Sequence, residues 1–463
     1  MVNIKQKYVI IIIFNILISS LCFSQGVIGD KINSKNNLLE ESCHIIQGVP
    51  YVSQETDFFC SYACPTMVLK YYGINTTLSE VLFNSGIGYS LIYSIPSMKR
   101  FIISALGSSN GFEDRAFLAS LYGLSFEEAW LHNTLKNKNE NWQQYWFKLK
   151  ENISNDIPVI TMVDPVFLSS IRNSISADLG ISEDFWNKFP NFIWDFVPCL
   201  TNHVIVVVGF NETNNSICFN DPVTDLLGYP ELGHYSWMNL SLFEEAMYRF
   251  SIKTKLAYYI GVFKHSNNII NNKDEIFEKA YLKNIEKMKG NLSSYNKRVT
   301  ENWNCTKLGV NALIQLNNDL DKGFNNRFKT IILFKFQTEK YLIPIAYKLY
   351  FLFEKLIPSV FDMNDFQSQI NYFYQNKIEK EYISNYLWDT QFLLNDNNLS
   401  KICRNNSILI SNEAENSSII AEYFTIFLKK GMLLTYPRAI IVTNNMQRIL
   451  EKMIAIEEEI LGL

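Results

Sequence analysis

Four polar residues of this chain have the side chains that thiol catalysis needs: Gln54, Cys60, His203 and Asp221. A thiol attacks a carbonyl group as its thiolate, so a nucleophilic cysteine requires a base, and that base requires a group to orient it. His203 is the predicted base and Asp221 the predicted orienting carboxylate. Gln54 lies six residues before Cys60 and is predicted to bind an oxyanion together with the Cys60 backbone N–H. The four residues predict chemistry through a covalent thioester.

The elements around these residues predict how the chain positions them. Apolar residues at helical spacing follow Cys60 and end at Gly73, which predicts a helix that begins at Cys60. The positive end of a helix dipole favours a thiolate. His203 opens an apolar run at 204–210 that is typical of a buried strand. Asp221 comes 18 residues after His203, behind a second predicted strand, so a hairpin is predicted to return it to the imidazole.

The segment around Cys60 resembles the N-terminal signature of the bacteriocin-processing, double-glycine leader peptidases of the papain superfamily. The positions that match this signature in register are Gln54, Cys60, Ala63, Met67, Tyr71, Tyr72 and Gly73. The downstream block from Asn202-His203 to Gly209, followed by Asp221-Pro222, is similar to the family as well. The resemblance covers residues 46–266. It implies an α+β papain-like domain with Cys60 as the nucleophile, His203 as the base, Asp221 as the orienting residue and Gln54 as the oxyanion residue.

Two departures from the family pattern lie close to the nucleophile. Ser61 stands where the family has glycine, and Pro65 falls inside the expected helix, where it removes a backbone hydrogen bond and is predicted to cause a kink. A helix that began at Pro65 would make Cys64 the nucleophile instead. The spacing from Gln54 favours Cys60.

A weaker similarity covers 242–246, which resembles a late helix of the family. Ser241 is three residues before Glu244, and this spacing predicts a capping box at the start of that helix. The late helix is the last feature of the resemblance before the domain limit predicted at residue 266.

The N-terminus has the pattern of an export signal. Lysines precede an apolar run at 9–18, and small residues lie where a signal peptidase cleaves, so residues 1–24 are a predicted signal peptide. Residues 25–45 are polar and are predicted to form a leader. The expected location is therefore secreted or extracytoplasmic.

A chain of 463 residues exceeds one ordinary core, which predicts two domains. The papain-like domain is predicted at 46–266, with helical insertions at 97–150 and 166–198. Its further predicted strands are 157–163, 216–220 and 255–263. A helical domain of unknown role is predicted at 267–463, with helices at 273–290, 305–322, 328–356, 366–394 and 438–461. Charged residues interrupt the apolar stretch at 328–356, which favours a buried helix over a membrane span.

The composition of the chain indicates which classes of partner and cofactor to expect. A net charge of -4 and a pI of about 5.9 argue against a nucleic-acid partner. No paired-cysteine or paired-histidine metal spacing occurs and there are five histidines, so no cofactor or metal is predicted. The expected partner is a peptide or acyl substrate, and no stable membrane span is expected after signal cleavage. The sequence does not indicate an oligomeric state.

These features favour a secreted papain-like thiol hydrolase that cleaves peptide bonds. An acyltransferase or amidase would use the same thioester, and the segment at 78–88 resembles the butirosin-pathway acyltransferase group, in which a helical domain also follows a papain-like one. Export argues against that alternative, because carrier-protein thioesters are usually cytosolic. A third alternative is a non-catalytic binding protein with a decayed site, but the presence of all four residues argues against it.

Overall fold

The structure, a computed structural model, describes residues 42–56, 59–89, 92–94, 106–107, 115–131, 137–180, 203–254, 258–265, 270, 272–291, 306–323, 363–430 and 436–462. The predicted signal peptide, nearly all of the predicted leader and the predicted helix at 328–356 lie outside these ranges. The chain forms two compact units. Residues up to 81 and 122–269 make up the first unit, and residues 82–121 and 270 onward make up the second. The domain limits expected from the sequence stay predictions.

Helices and strands alternate in the first half of the chain, and helices dominate the second half. In chain order the elements are β1 (Cys43–Ile45), α1 (Cys60–Tyr71), α2 (Leu78–Asn84), β2 (Ile92–Ser94), β3 (Leu106–Gly107), α3 (Arg115–Leu121), β4 (Ser125–Trp130), α4 (Lys138–Ile153), β5 (Val159–Val163), α5 (Ser169–Leu179), β6 (His203–Asn211), β7 (Ser216–Asn220), β8 (Ser236–Asn239), α6 (Leu240–Thr254), β9 (Tyr259–Lys264), α7 (Lys273–Met288), β10 (Thr306–Leu308), α8 (Val310–Gly323), α9 (Met363–Thr390), α10 (Asn397–Lys430) and α11 (Tyr436–Gly462). Short 3-10 turns occupy Pro165–Phe167 and Pro230–Leu232.

The first unit is built on an antiparallel sheet with the strand order β4-β9-β5-β6-β7-β8. Strand β6 is its centre. The first half of β6 pairs with β5, where His203 lies opposite Val163, and its second half pairs with β1, where Gly209 lies opposite Ile45. A Cβ atom at Gly209 would lie 2.8 Å from the carbonyl oxygen of His44, so glycine allows β1 to approach this closely.

Helix α1 packs against β6 and carries the best-marked helical pattern of the sequence. Cys64, Met67 and Val68 are fully buried on it, and burying an apolar side chain of this size contributes roughly 1.5–3 kcal/mol. The helix ends one residue before Tyr72, and Gly73 follows with a φ of 79°, a left-handed conformation that glycine adopts without strain. The predicted helix from Cys60 to the glycine stop is confirmed.

The strands predicted at 157–163, 204–210, 216–220 and 255–263 are confirmed as β5, β6, β7 and β9, with ends that differ by a few residues. The prediction of a helical insertion over 97–150 is wrong in part. Residues 125–130 form β4, an edge strand that pairs with β9 along its whole length. The described residues of this stretch before Tyr122, at 106–107 and 115–121, belong to the second unit. The half-exposed β4 lacks the apolar run of a buried strand, which explains why its sequence did not indicate one.

The predicted capping box at Ser241 is wrong. Helix α6 begins at Leu240, so Ser241 is already its second residue. The side-chain oxygen of Asn239 accepts a hydrogen bond from the backbone N–H of Ser241 at 2.8 Å, which makes Asn239 the capping residue. The late helix itself, predicted at 242–246, is confirmed.

The second unit is mainly helical. Helices α9 and α10 pack along each other, and α11 packs against α10 and α8. A small antiparallel sheet with the order β10-β2-β3 adds strands that the sequence did not predict, and the helix predicted at 305–322 begins only at Val310. The predicted fold class, an α+β domain followed by a helical region, is confirmed.

Helix α10 is the largest element that the sequence analysis missed. Asparagine and serine recur along its 34 residues, and both have low helix propensity. Its helical form therefore depends on packing between α9 and α11 rather than on local preference. Of the helices that the structure describes, none combines the length and the apolar character needed to cross a membrane.

Three ionisable side chains meet in the core of the second unit. Lys380 on α9 lies 2.7 Å from Glu413 on α10 and 3.9 Å from Glu457 on α11, and none of the three is exposed. The Lys380 ammonium also donates to the carbonyl oxygen of Gly88 at 2.8 Å. Burial and the charge of Glu413 raise the pKa of Glu457 well above its usual value. Lys380 therefore compensates a carboxylate that has no access to water.

Lys380→Met is expected to destabilise the second unit by about 3–5 kcal/mol, because it leaves Glu413 buried without its counter-ion. The loss should appear as a lower midpoint in thermal or denaturant unfolding followed by circular dichroism. Lys377→Met is the matched control on the same helix. Lys377 forms a surface pair with Glu381, which is worth about 0.3–0.5 kcal/mol. Equal losses in the two variants would contradict a stabilising role for the buried lysine.

Candidate active site

His203 and Asp221 form a buried pair at one end of β6. The Nε2 atom of His203 donates a hydrogen bond to Oδ1 of Asp221 at 2.7 Å. His203 is the first residue of β6, and Asp221 directly follows β7. The two strands are antiparallel neighbours, with Val206 opposite Asn220, so the hairpin returns Asp221 to the start of β6. The predicted approach of the two side chains is confirmed.

Cys60 completes a line of three side chains. Its thiol lies close enough to the His203 ring to help raise the pKa of that ring, and because Nε2 faces Asp221, the other ring nitrogen, Nδ1, is the one available to the sulfur. Cys60 is also the first residue of α1, with Phe59 as the N-cap, so its sulfur lies at the positive end of that helix. The relative exposures of Cys60 and His203 are 6% and 5%, which shields their interaction from bulk water.

The charges around His203 favour its protonated form. Burial opposes a charge on the ring, but the charge of Asp221, the hydrogen bond to Asp221, and the hydrogen bond and charge of Cys60 outweigh it. Together they raise the pKa of His203 from 6.5 to about 10. This direction favours the protonated imidazole at neutral pH. A cation beside a thiol stabilises the thiolate.

The Asp221 carboxylate accepts hydrogen bonds on both oxygens. Besides His203, Oδ1 accepts from the backbone N–H of Val223 at 3.1 Å, an Asx turn made by the Asp-Pro sequence. Oδ2 accepts from the hydroxyl of Ser170 at 2.6 Å. Asp221 has no exposed surface, so these donors replace the water that a carboxylate would otherwise bind.

Gln54 is hydrogen-bonded to the turn that follows Asp221. Its backbone N–H donates to the carbonyl oxygen of Pro222 at 3.0 Å, which ties the segment before α1 to the residue after Asp221. The side chain is buried, and its Nε2 donates to the carbonyl oxygen of Thr56 at 2.6 Å. An amide nitrogen carries two hydrogens, so one remains for a second acceptor. The oxyanion role of Gln54 stays a prediction.

Cys64 does not fit the role of an alternative nucleophile. Helix α1 begins at Cys60 and continues through Pro65, so the alternative in which it begins at Pro65 is wrong. The thiol of Cys64 is fully buried and donates to the carbonyl oxygen of Val204 on β6 at 3.2 Å. Cys64 therefore packs the helix against the sheet. The predicted kink at Pro65 stays a prediction.

The site combines a thiol, an imidazole and a buried carboxylate, which are the groups that acyl transfer through a thioester requires. Of the residues that the structure describes, no three from His, Cys, Asp and Glu are placed to hold a metal ion. Sequence reasoning missed Ser170. A serine on a helix carries no signal by itself, and its contact with Asp221 spans 51 residues of the chain.

Comparison with known proteins supports the relationship suggested by these residues. Residues 46–248 match the family model described as the Peptidase_C39 like family. This region, which contains Gln54, Cys60, His203 and Asp221, is thus related to papain-like cysteine peptidases, and its resemblance to bacteriocin-processing peptidases is consistent with the match. No curated protein and no solved structure matches the chain.

Proposed function

We propose, from the relationship of residues 46–248 to papain-like cysteine peptidases, that this protein is a thiol hydrolase that cleaves peptide bonds with Cys60, His203 and Asp221. The observation that carries the proposal is the buried hydrogen bond between His203 and Asp221, with Cys60 beside the same ring at the start of α1. A buried cysteine or histidine alone is more often structural. Three such side chains in this order, with the sulfur at a helix N-terminus, have the geometry of a thiolate nucleophile.

In the proposed mechanism the thiolate of Cys60 attacks the carbonyl carbon of the scissile peptide bond. The backbone N–H of Cys60 and the side-chain amide of Gln54 bind the oxyanion. His203 gives its proton to the leaving nitrogen as the C–N bond breaks, and an acyl-enzyme thioester remains. Water then attacks the thioester, and His203 takes up the proton of that water. Release of the acid product restores the thiolate and the imidazolium.

Asp221 acts in this proposal through His203. The carboxylate holds the ring so that Nδ1 faces Cys60, and its charge stabilises the imidazolium. The raised pKa of His203 supports this role, because the proton needed by the leaving amine is then bound before the substrate arrives.

We propose in addition that the enzyme acts outside the cytoplasm on a peptide or acyl substrate. The signal-peptide pattern of residues 1–24 supports export. The acidic chain, with a net charge of -4, supports a substrate other than nucleic acid.

Iodoacetamide labelling of the full chain tests the thiol assignment. We expect Cys60 to be modified preferentially at neutral pH, with His203→Ala reducing its rate by roughly 10- to 100-fold because the thiolate loses its counter-ion. The measurement is the rate of label uptake at each cysteine-containing peptide by mass spectrometry, with the thermal unfolding midpoint of each variant as the folding control. Labelling of all cysteines at similar rates, or labelling centred on Cys64, would contradict the assignment.

Substrate assays then decide between hydrolysis and transfer. The labelled and unlabelled enzymes are compared on a peptide library and on acyl-thioester donors with an added amine. We expect label-sensitive peptide cleavage. Label-sensitive amide formation from the thioester donor without peptide cleavage would favour the acyltransferase, and no activity on either would favour a non-catalytic binding protein.

A further inference from the structure

We propose that Ser170 is a positioning residue of this site, which holds the Asp221 carboxylate in the orientation that His203 requires. The inference rests on the proposed function, since it assigns a further residue to the same machinery. Its basis is the hydrogen bond from the Ser170 hydroxyl to Oδ2 of Asp221 at 2.6 Å, between two side chains of which neither is more than 1% exposed. A short hydrogen bond to a charged acceptor in a buried place is among the stronger kinds in proteins.

The two oxygens of Asp221 have different partners. Oδ1 accepts from His203 and from the backbone N–H of Val223, whereas Oδ2 accepts from Ser170. Rotation of the carboxylate about its Cβ–Cγ bond would break all three contacts at once. Ser170 therefore fixes the oxygen opposite the one that orients the imidazole, and the carboxylate is held from both sides.

Ser170 can serve as a fixed donor because the start of α5 is fastened to the rest of the unit. The hydroxyl of the preceding Ser169 donates to the carbonyl oxygen of Trp237 on β8 at 2.9 Å. The guanidinium Nε of Arg172 donates to the carbonyl oxygen of Val166 at 2.9 Å. These contacts hold the backbone of Ser170, so its hydroxyl meets Asp221 in a defined position.

Loss of the Ser170 hydroxyl should weaken the thiolate–imidazolium pair. The carboxylate would lose the donor on Oδ2 and part of its orientation, so it would stabilise the imidazolium less well. A less stable imidazolium is a weaker counter-ion for the sulfur. Cys60 would then react more slowly with an electrophile, most of all at the acidic end of the pH profile.

The test is the pH dependence of iodoacetamide modification at Cys60 in the full chain. For Ser170→Ala we expect the acidic limb of this profile to move to higher pH, with the modification rate at neutral pH falling roughly tenfold, as expected for loss of one hydrogen bond to a charged group. Ser174→Ala is the matched control. Ser174 is equally buried on the same helix, but it donates to a backbone carbonyl rather than to Asp221, so its profile should superimpose on that of the wild type.

The outcomes separate a positioning role from a structural one. A profile of Ser170→Ala that superimposes on that of the wild type would overturn the proposal, even if both serine variants unfold at a lower temperature. Recovery of the wild-type profile in Ser170→Thr, which keeps a hydroxyl, supports it. If Ser170→Ala does not fold, Ser170→Cys replaces it, because a thiol keeps the volume and donates only weakly, and the same direction of shift is expected. If wild-type Cys60 is not modified preferentially, the proposed function fails before Ser170 is tested.

Discussion

Cys60→Ala is expected to reduce peptide hydrolysis by roughly 10⁴- to 10⁶-fold, because removal of a nucleophile ends covalent catalysis and leaves only binding and oxyanion stabilisation. The substitution removes one sulfur atom and keeps Cβ, so the backbone at the start of α1 should be preserved and any loss of stability should be confined to that of a truncated core side chain. Cys60 is the first residue of α1 and the helix hydrogen bonds do not involve its side chain. The measurement is kcat/KM on a peptide substrate from the library screen, with the unfolding midpoint measured in parallel.

Cys64→Ala is the control for the loss of a thiol from the same helix. Cys64 is one turn further along α1 and is fully buried, with its thiol bonded to the carbonyl oxygen of Val204. We expect this variant to lose stability, by an amount typical of a truncated core side chain, and to keep kcat/KM within a few-fold of the wild type. Inactivity of Cys64→Ala in a folded state, together with activity of Cys60→Ala, would reverse the assignment of the nucleophile.

Asp221→Asn is expected to lower kcat by roughly 10²- to 10⁴-fold and to move the alkaline limb of the pH–rate profile to lower pH. His203 must carry a proton to give it to the leaving amine, so activity falls as pH rises through the pKa of His203. In the wild type, Asp221 supplies the largest of the effects that raise this pKa from 6.5 to about 10. Without the carboxylate charge, the limb should approach the ordinary histidine value.

The pH dependence of kcat/KM between pH 5 and pH 10.5 is the measurement, and Asp164→Asn is the matched control. Asp164 and Asp221 each precede Pro-Val, and each accepts a hydrogen bond from the backbone N–H of that valine. Both are buried in the first unit, but it is Asp221 that contacts His203. An alkaline limb that moves in Asp164→Asn, or that stays in place in Asp221→Asn, would contradict the assigned role of Asp221.

Local sequence patterns predicted those elements whose burial is reflected in their own residues. The apolar helical spacing after Cys60 predicted α1, and the β-branched run after His203 predicted β6, because both elements are buried nearly throughout. Strand β4 was not predicted because it is an edge strand of the sheet and much of it is exposed, so its residues lack an apolar run. Helix α10 was missed because tertiary packing overrides the low helix propensity of its many asparagines and serines.

The features of the candidate site likewise fall into those that local sequence predicted and those that tertiary packing decided. Residue type, spacing and chain order alone predicted that Gln54, Cys60, His203 and Asp221 belong to one thiol site. Cys60 and His203 each begin an element and Asp221 directly follows one, so local patterns already placed three of the four. Only the tertiary structure decided which atoms touch. The hairpin register brought Asp221 to His203, the packing of α1 on β6 brought Cys60 to the ring, and α5 brought Ser170 to the second oxygen of the carboxylate. Contacts between residues so far apart in the chain depend on how elements pack, and packing is a property of side-chain shapes in three dimensions that no local pattern encodes.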